Sequence, residues 1–130
     1  MRRLVLTACL LAALAGCGRT PPTLAGGKPV SFWLEAVRGP DARLRKTAVF
    51  KLGNVGPGEA AVVPALLGAL KDRDAQVRRE AILALMKCGP DARDAVPALT
   101  DLRQHDRDAQ VRAYAARALE KLGREAEPAR

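Results

Sequence analysis

Apolar residues recur in three equivalent segments of the chain. The segments start at Asp41, Asp74 and Asp108, which are 33 and 34 residues apart. Counted from each aspartate, the third, seventh, eleventh and fourteenth positions are apolar: Leu44, Ala48, Leu52 and Val55, then Val77, Ala81, Leu85 and Cys88, then Val111, Ala115, Leu119 and Leu122. Spacings of three and four residues place these positions on one side of a helix. The pattern therefore predicts three amphipathic helices of about four turns, which we call the first helices.

The ends of the first helices carry capping residues. Each opening aspartate can accept hydrogen bonds from the free backbone N–H groups of the first turn. Gly56, Gly89 and Gly123 each follow the last apolar position by one residue. Because glycine most readily adopts the left-handed conformation of a helix end, the sequence predicts that the first helices stop at these glycines.

A second helix is predicted between successive first helices. Pro64 and Pro97 each lie eight residues after a glycine, in the related segments Val-Val-Pro-Ala-Leu and Ala-Val-Pro-Ala-Leu. Proline in the first turn of a helix forfeits no helical hydrogen bond, so these segments open second helices that run to about Leu70 and Leu102. Residues 31–38 occupy the place of a preceding second helix. The predicted order is six helices in which second and first helices alternate.

A lone helix pair cannot bury enough apolar surface to stay folded, whereas stacked pairs share one core. We therefore predict an all-α fold, a short right-handed α-solenoid over residues 29–123 with about three repeats, the terminal ones partial. Phe32 and Trp33 are expected to cover the open end of the stack, although an exposed tryptophan would also suit a partner-binding site. Residues 124–130 are expected to form a disordered tail.

The N-terminus resembles a bacterial lipoprotein signal. A positively charged start precedes an uncharged apolar run that is too short for a comfortable membrane span. The run ends in Leu-Ala-Gly-Cys17, similar to the lipobox, in which the cysteine receives lipid and becomes the new N-terminus. The resemblance implies a signal peptide at 1–16 and a protein anchored through Cys17 to an envelope membrane, facing the periplasm or the exterior. Ala13-Leu-Ala15 also fits ordinary signal peptidase, which leaves a soluble secreted product open.

Residues 17–28 connect this signal to the repeats. They are rich in glycine and proline and carry no periodic apolar pattern, which predicts a flexible tether that spans on the order of 20 Å. With Cys9 in the signal and Cys17 lipidated, Cys88 is alone in the folded part. We expect Cys88 to be buried, as small apolar cysteines usually are.

The two-helix unit resembles the HEAT-like repeats named after phycobilisome lyases. The resemblance rests on Asp-x-x-Val-Arg at the start of the first helix and Val-Pro-Ala-Leu in the second, and it covers about residues 29–123. In that family an aspartate before the first helix and an arginine inside it form a ladder between neighbouring units. Gly39 stands where the first unit would carry its aspartate. The resemblance places Asp72 with Arg78, and Asp106 with Arg112, on the ladder, and it leaves Arg45 of the first unit without its aspartate.

No recognisable catalytic constellation appears in the sequence. His105 is the single histidine and has no second histidine or cysteine within a helical turn, so we expect a surface or capping role. HEAT-like proteins that bind iron use His-Glu pairs, and the chain has none. It also lacks a glycine-rich phosphate loop, a nucleophile elbow and a spaced cysteine pair. We therefore predict no enzyme activity, cofactor, metal or small-molecule substrate.

Stacked helix pairs present an elongated surface to partners, which predicts a membrane-anchored scaffold or adaptor for a protein partner of unknown identity. Candidate contacts on the second-helix side are Trp33, Lys71, Arg103 and Gln104. A net charge of +8 raises nucleic-acid binding as an alternative, as in HEAT-like alkylpurine DNA glycosylases. Interleaved acidic and basic residues and export argue against it, so no nucleic acid is expected. A lyase-like role on a tetrapyrrole has only the repeat name in its favour.

Overall fold

The computed structural model of the chain describes residues 23–126, with side chains up to Arg124. The predicted signal peptide, the lipidation site Cys17 and residues 18–22 of the tether lie outside this range, as do residues 127–130. In chain order the described elements are β1 (Leu24–Ala25), β2 (Lys28–Pro29), α1 (Val30–Ala36), α2 (Ala42–Val55), α3 (Val62–Ala69), α4 (Ala75–Cys88), a 3₁₀ helix (Gly89–Ala95), α5 (Val96–His105) and α6 (Ala109–Ala126).

The first helices are α2, α4 and α6, and the second helices are α1, α3 and α5. Each second helix packs against the first helix that follows it in the chain. The first helices also pack on one another, α2 against α4 and α4 against α6. The predicted all-α stack of alternating second and first helices is therefore confirmed.

Aspartates begin the first helices as predicted. Asp41 and Asp74 each accept a hydrogen bond from the backbone N–H two residues later, at 2.9 and 2.7 Å, and Asp108 accepts one from the N–H three residues later at 2.9 Å. These contacts satisfy N–H groups that have no partner inside the helix. The same local signal therefore starts all three helices.

Two of the three predicted glycine ends are confirmed. Gly56 and Gly89 end α2 and α4 with φ of 77° and 58°. The prediction for Gly123 is wrong, because α6 continues to Ala126. Proline directly follows the first two glycines and disfavours helical conformation in the residue before it. Arg124 follows Gly123 instead and pairs with the glutamate one turn earlier at 2.8 Å, so the first three residues of the predicted tail are helical.

Most of the predicted apolar positions of the first helices are buried, and Leu44 is the clearest exception. Val77 and Val111 are fully buried, whereas the equivalent Leu44 is 38% exposed. Val77 lies two turns before Ala84, on the side of α4 that contacts Gly53 of α2. Since no first helix precedes α2 among the described residues, the corresponding side of α2 has no neighbour to cover Leu44.

Gly53 lets α2 and α4 approach closely. A Cβ atom at this position would lie 2.6 Å from the Cβ and 3.1 Å from the Cα of Ala84. Real side chains do not come this close, so a larger residue would push the two helices apart. The distance between neighbouring first helices therefore depends on a missing side chain.

Gly53→Ala is expected to destabilise the protein by up to about 2 kcal/mol, because overpacking the helix contact costs about 1–3 kcal/mol and the better helix propensity of alanine offsets only roughly 1 kcal/mol of it. The matched control is Gly68→Ala in α3, where an added Cβ meets nothing within 4 Å. Helix propensity alone should make that variant more stable by about 0.5–1 kcal/mol. Urea denaturation measures both effects. Shifts of the same sign and size would mean that α2 and α4 are not held at contact distance.

An antiparallel hairpin precedes α1. Leu24 pairs with Pro29, and Ala25 with Lys28. Gly26 and Gly27 connect the strands with φ of 58° and 77°, the left-handed pair that a two-residue hairpin turn requires. The flexible tether predicted for residues 17–28 is therefore wrong for the part from Leu24 onward, where the two glycines form a turn.

Trp33 lies under this hairpin. Trp33 is only 5% exposed. Its indole Nε1 donates a hydrogen bond to the carbonyl oxygen of Ala25 at 2.7 Å. The ring of Phe32 packs edge-on against it with centroids 4.9 Å apart. The alternative in which Trp33 contacts a partner is wrong, because the hairpin already covers the ring. Trp33 instead joins the hairpin to the end of the helical stack.

Candidate functional site

Two buried arginines connect successive repeats through the aspartate that precedes the next first helix. Arg45 donates from Nε and Nη2 to the carboxylate of Asp72 at 2.7 and 2.9 Å, and Arg78 makes the same fork with Asp106 at 2.8 and 2.8 Å. The four side chains are between 5% and 9% exposed. Two parallel bonds give such a pair directional specificity as well as energy, so each fork sets the position of one repeat on the next.

The third nitrogen of these arginines binds the turn before its own first helix. Arg45 Nη1 donates to the carbonyl of Gly39 at 3.0 Å. Arg78 Nη1 and Arg112 Nη1 donate to the carbonyls of the aspartates six residues earlier, at 2.8 and 2.7 Å. This contact uses a backbone carbonyl, which every residue has. Arg45 therefore makes it although glycine stands at position 39 in place of the aspartate. Within the described part of the chain, Arg112 has this backbone contact but no carboxylate opposite it.

The forks lower the pKa of both ladder carboxyls. Burial by itself would raise the pKa of Asp72, but hydrogen bonds from Arg45 and from a backbone N–H, together with nearby positive charge, outweigh it and bring the pKa below 3.8. The pKa of Asp106 is lowered in the same way, against burial, by its hydrogen bonds to Arg78 and the backbone. Both carboxylates are therefore charged in the folded protein at neutral pH.

Stability is expected to fall in acid because of these two groups. Their pKa is lower in the folded than in the unfolded chain, so the unfolded chain binds more protons, and the stabilisation present above pH 3.8 is lost as the pH drops through the lowered values. Urea denaturation at a series of pH values measures this slope. The Asp72→Asn and Asp106→Asn double variant should have a shallower slope, and an unchanged slope would contradict the assignment.

The outward sides of α2, α4 and α6 form one surface. It consists of the second, fifth, sixth, ninth and thirteenth positions after each capping aspartate, from Arg43 to Lys121, and we call it the first-helix face. Lys46 donates to Gln76 of the next helix at 3.2 Å, and the equivalent residue of α4, Arg79, donates to the glutamine of α6. Repeated side-chain contacts thus join the three helices laterally into a continuous face.

A groove crosses the first-helix face. Its larger part, about 760 Å³, lies between α2 and α4 and is lined by Phe50. A smaller part is lined by Leu83 and Tyr114. The two parts share Lys46 and Glu80 in their walls, so they adjoin. Phe50 is 43% exposed and adds apolar surface to the wall of the groove.

Positive charge is concentrated on the first helices. With the ladder residues set aside, the described side chains of α2, α4 and α6 include eight basic and two acidic ones. The rest of the described chain, capping aspartates included, has seven basic and eight acidic side chains. Charges that are interleaved along the sequence are therefore unevenly distributed in the structure, because the helical period gathers many of the basic positions on the first helices.

Comparison with known protein families agrees with this repeat geometry. A family model described as HEAT repeats matches residues 30–120, which include α1 and most of α6. The chain belongs to the HEAT-repeat family. Comparison with curated proteins gave no match. HEAT repeats generally mediate protein interactions and are typically non-catalytic, so the exposed faces of the stack are the natural place to look for function.

Of the four binding candidates predicted from the sequence, three are exposed and one is buried in this HEAT-repeat protein. Lys71 lies in the turn after α3, and Arg103 and Gln104 lie near the end of α5. All three are exposed, but none belongs to the first-helix face. Trp33 is buried under the hairpin. Trp33 is therefore not available to a partner on the second-helix side, whereas a contact through the other three residues stays a prediction.

His105 and Cys88, which the sequence analysis considered for chemical roles, lie on the surface and in the core, respectively. His105 ends α5 with Nδ1 2.9 Å from a carboxylate oxygen of Asp101, and both side chains are at least 70% exposed. Cys88 is buried, and that burial, with the charge of Asp91, raises the pKa of its thiol. Among residues 23–124, no cluster of three or more histidine, cysteine, aspartate or glutamate side chains is placed to hold a metal ion. No helix in the described range is long and apolar enough to cross a bilayer.

Sequence reasoning missed the groove. Phe50 and Leu83 both occupy the ninth position after their aspartate, where a polar residue is expected on the side opposite the core. Two apolar residues at one equivalent polar position were a readable signal of an exposed stripe. Tyr114 occupies the sixth position, where the other two helices carry polar residues, so the sequence gave no repeated apolar pattern there. Only the packing of α6 on α4 brings Tyr114 close to the other two residues.

Proposed function

We propose that this HEAT-repeat protein is a lipid-anchored scaffold or adaptor of the bacterial cell envelope that binds partner proteins through its first-helix face. The binding role rests on one observation, the groove whose two adjoining parts are lined by Phe50 in one and by Leu83 and Tyr114 in the other. A groove that exposes a few large apolar side chains among charged and polar ones is typical of a protein-interaction site. The repeat motifs also support an assignment to the phycobilisome-lyase type of HEAT repeat, with binding as the role.

The anchoring role rests on Cys17 and its lipobox-like neighbours. Two or three acyl chains on one cysteine hold a protein stably on a bilayer. The hairpin begins at Leu24, only seven residues after Cys17, so the connection between them cannot exceed about 25 Å. The domain would therefore work close to the membrane, where its partner must also reside or pass.

Replacing Cys17 by alanine tests the anchor. The variant is expected to leave the membrane fraction after a salt wash, whereas the unchanged protein stays in it and incorporates labelled palmitate. A matched control is Cys88→Ala, which removes a buried cysteine of the repeat domain and should leave fractionation unchanged. A Cys17→Ala protein that still pellets with washed membranes would overturn the anchored location.

Site-specific photocrosslinking in cells tests the scaffold role. A photoreactive amino acid at Gln76 samples the first-helix face, and the same amino acid at Gln104 samples the second-helix side. Discrete protein adducts are expected from Gln76 and few from Gln104. If neither position yields an adduct under the conditions in which the protein is expressed, the adaptor function is wrong.

A further inference from the structure

We infer that the first-helix face recognises an acidic peptide segment of its partner that carries bulky apolar side chains between its carboxylates. This inference rests on the proposed function, because it names the chemistry that the scaffold's groove accepts. Three features of the face carry it: the apolar stripe, the basic rows beside the stripe, and the polar groups inside the groove.

The apolar stripe supplies the anchor points. Phe50, Leu83 and Tyr114 line the adjoining parts of the groove on α2, α4 and α6. Helices in contact lie about 8–10 Å apart, so the stripe spans roughly 20 Å, which an extended peptide of about six residues covers. The volume near Phe50, about 760 Å³, accommodates large side chains of such a segment.

Basic side chains flank the stripe on both sides. Arg43, Lys46 and Arg79 lie toward the starts of the helices, and Lys87 and Lys121 lie toward their ends. The ammonium groups of Lys51 and Lys87 lie 5.9 and 5.1 Å from the centre of the Phe50 ring, and Arg117 lies 5.8 Å from that of Tyr114. An apolar side chain that enters the groove therefore brings its neighbours next to cations. Carboxylates at those neighbouring positions complement the face.

Polar groups within the groove favour a peptide over a polyphosphate. Glu80 lies in the walls of both parts of the groove, and Asp41 and Asp74 line the larger part. Their carboxylates repel phosphates and peptide carboxylates alike, but they accept hydrogen bonds from backbone N–H groups, which peptides have and phosphodiesters lack. A peptide therefore fits when its own carboxylates lie beside the flanking cations and not over these acidic side chains. Nε of Arg79, in the smaller part, is buried without a hydrogen-bond partner among the described residues. A carbonyl or carboxylate oxygen of a bound peptide would satisfy it.

Fluorescence anisotropy with a defined probe tests this recognition. The probe is a labelled peptide of about ten residues in which glutamates flank two phenylalanines, and it is titrated with the full chain in a nonionic detergent. A second peptide keeps the glutamates and replaces the phenylalanines by serine. A third keeps the phenylalanines and replaces the glutamates by glutamine. The first probe is expected to bind at least tenfold more tightly than either of the others.

Matched variants locate the site. The Lys46→Glu and Lys87→Glu double variant reverses two charges beside the stripe and should weaken binding of the first probe at least tenfold. The Lys71→Glu and Arg103→Glu double variant makes the same change in net charge on residues outside the face and should change binding less than twofold. Phe50→Ser should remove the preference for phenylalanine over serine in the probe. Circular dichroism checks that each variant keeps its helix content.

Each contrary result overturns the inference in a different way. Equal binding of the serine and phenylalanine peptides would mean simple charge attraction, and equal loss in both double variants would place the peptide elsewhere. Single-stranded DNA or phosphatidylglycerol vesicles that displace the probe better than unlabelled probe would assign the face to nucleic acid or to lipid. If the probe does not bind while Gln76 still forms adducts in cells, the acidic segment is wrong and the scaffold role stands. Absence of adducts from every position is the failure of the scaffold role itself.

Discussion

Replacing Arg78 by alanine is expected to lower the free energy of unfolding by about 3–5 kcal/mol, because the change leaves Asp106 as a buried charge without its partner. The side chain of Asp106 is only 5% exposed, and both of its oxygens accept from the guanidinium at 2.8 Å. The same substitution removes the donor to the carbonyl of Asp72. Urea denaturation followed by far-ultraviolet circular dichroism measures the loss.

Controls separate the buried pair from arginine in general. Arg103→Ala removes an exposed arginine of α5 and should change stability by no more than about 0.5 kcal/mol. Arg78→Lys keeps the charge but not the planar fork, so an intermediate loss is expected. A loss below about 1 kcal/mol for Arg78→Ala would mean that water reaches Asp106 and that the ladder contributes little.

Trp33→Ala is expected to lower the free energy of unfolding by about 3–5 kcal/mol, because it removes a large buried ring and leaves a cavity. The ring is 5% exposed, and its loss also leaves the carbonyl of Ala25 without the indole donor. Because the hairpin is held partly through this contact, it should detach before the helices unfold. Hydrogen exchange would then show early loss of protection at the amide of Val30, which donates to the carbonyl of Thr23.

Phe50→Ala is the matched aromatic control. Phe50 is 43% exposed and lies in the groove, so its truncation should lower the free energy of unfolding by only about 1 kcal/mol. The two aromatic residues thus separate stability from recognition, because Trp33 holds the fold together and Phe50 is available to a ligand. A similar loss of stability for both variants would mean that Phe50 belongs to the core and would remove the basis for the groove.

The ladder and the groove are two consequences of the same repeat. Each arginine fork sets one repeat on the next, and the first helices therefore present their outward residues in register. Lys46 can reach Gln76, and Arg79 its equivalent glutamine, only when that register holds. A variant that weakens the fork should consequently weaken peptide binding even when the outward residues are unchanged.

Structural features that depend only on residues close together in the sequence could be predicted from the sequence. The capping aspartates act on N–H groups two or three residues away, so their role follows from the sequence. The misplaced end at Gly123 was also readable, since the two glycines that do end helices are directly followed by proline and this one is not. The hairpin was not predicted. Gly26 and Gly27 lie in a stretch rich in glycine, which indicated a linker, although two consecutive glycines also suit a two-residue hairpin turn.

For residues 23–126 the sequence by itself determined the six α-helices, their order, most of their buried positions and the family of the repeat, but not the 3₁₀ helix Gly89–Ala95. These features depend on the helical period and on caps within a few residues, which operate the same way in all three units. Only the tertiary structure decided that Trp33 is covered, that Leu44 is exposed, and that basic and apolar side chains from three helices form one groove. Such features depend on which surfaces lie opposite one another, and that is set by contacts between residues some 30 positions apart, such as Arg45 with Asp72.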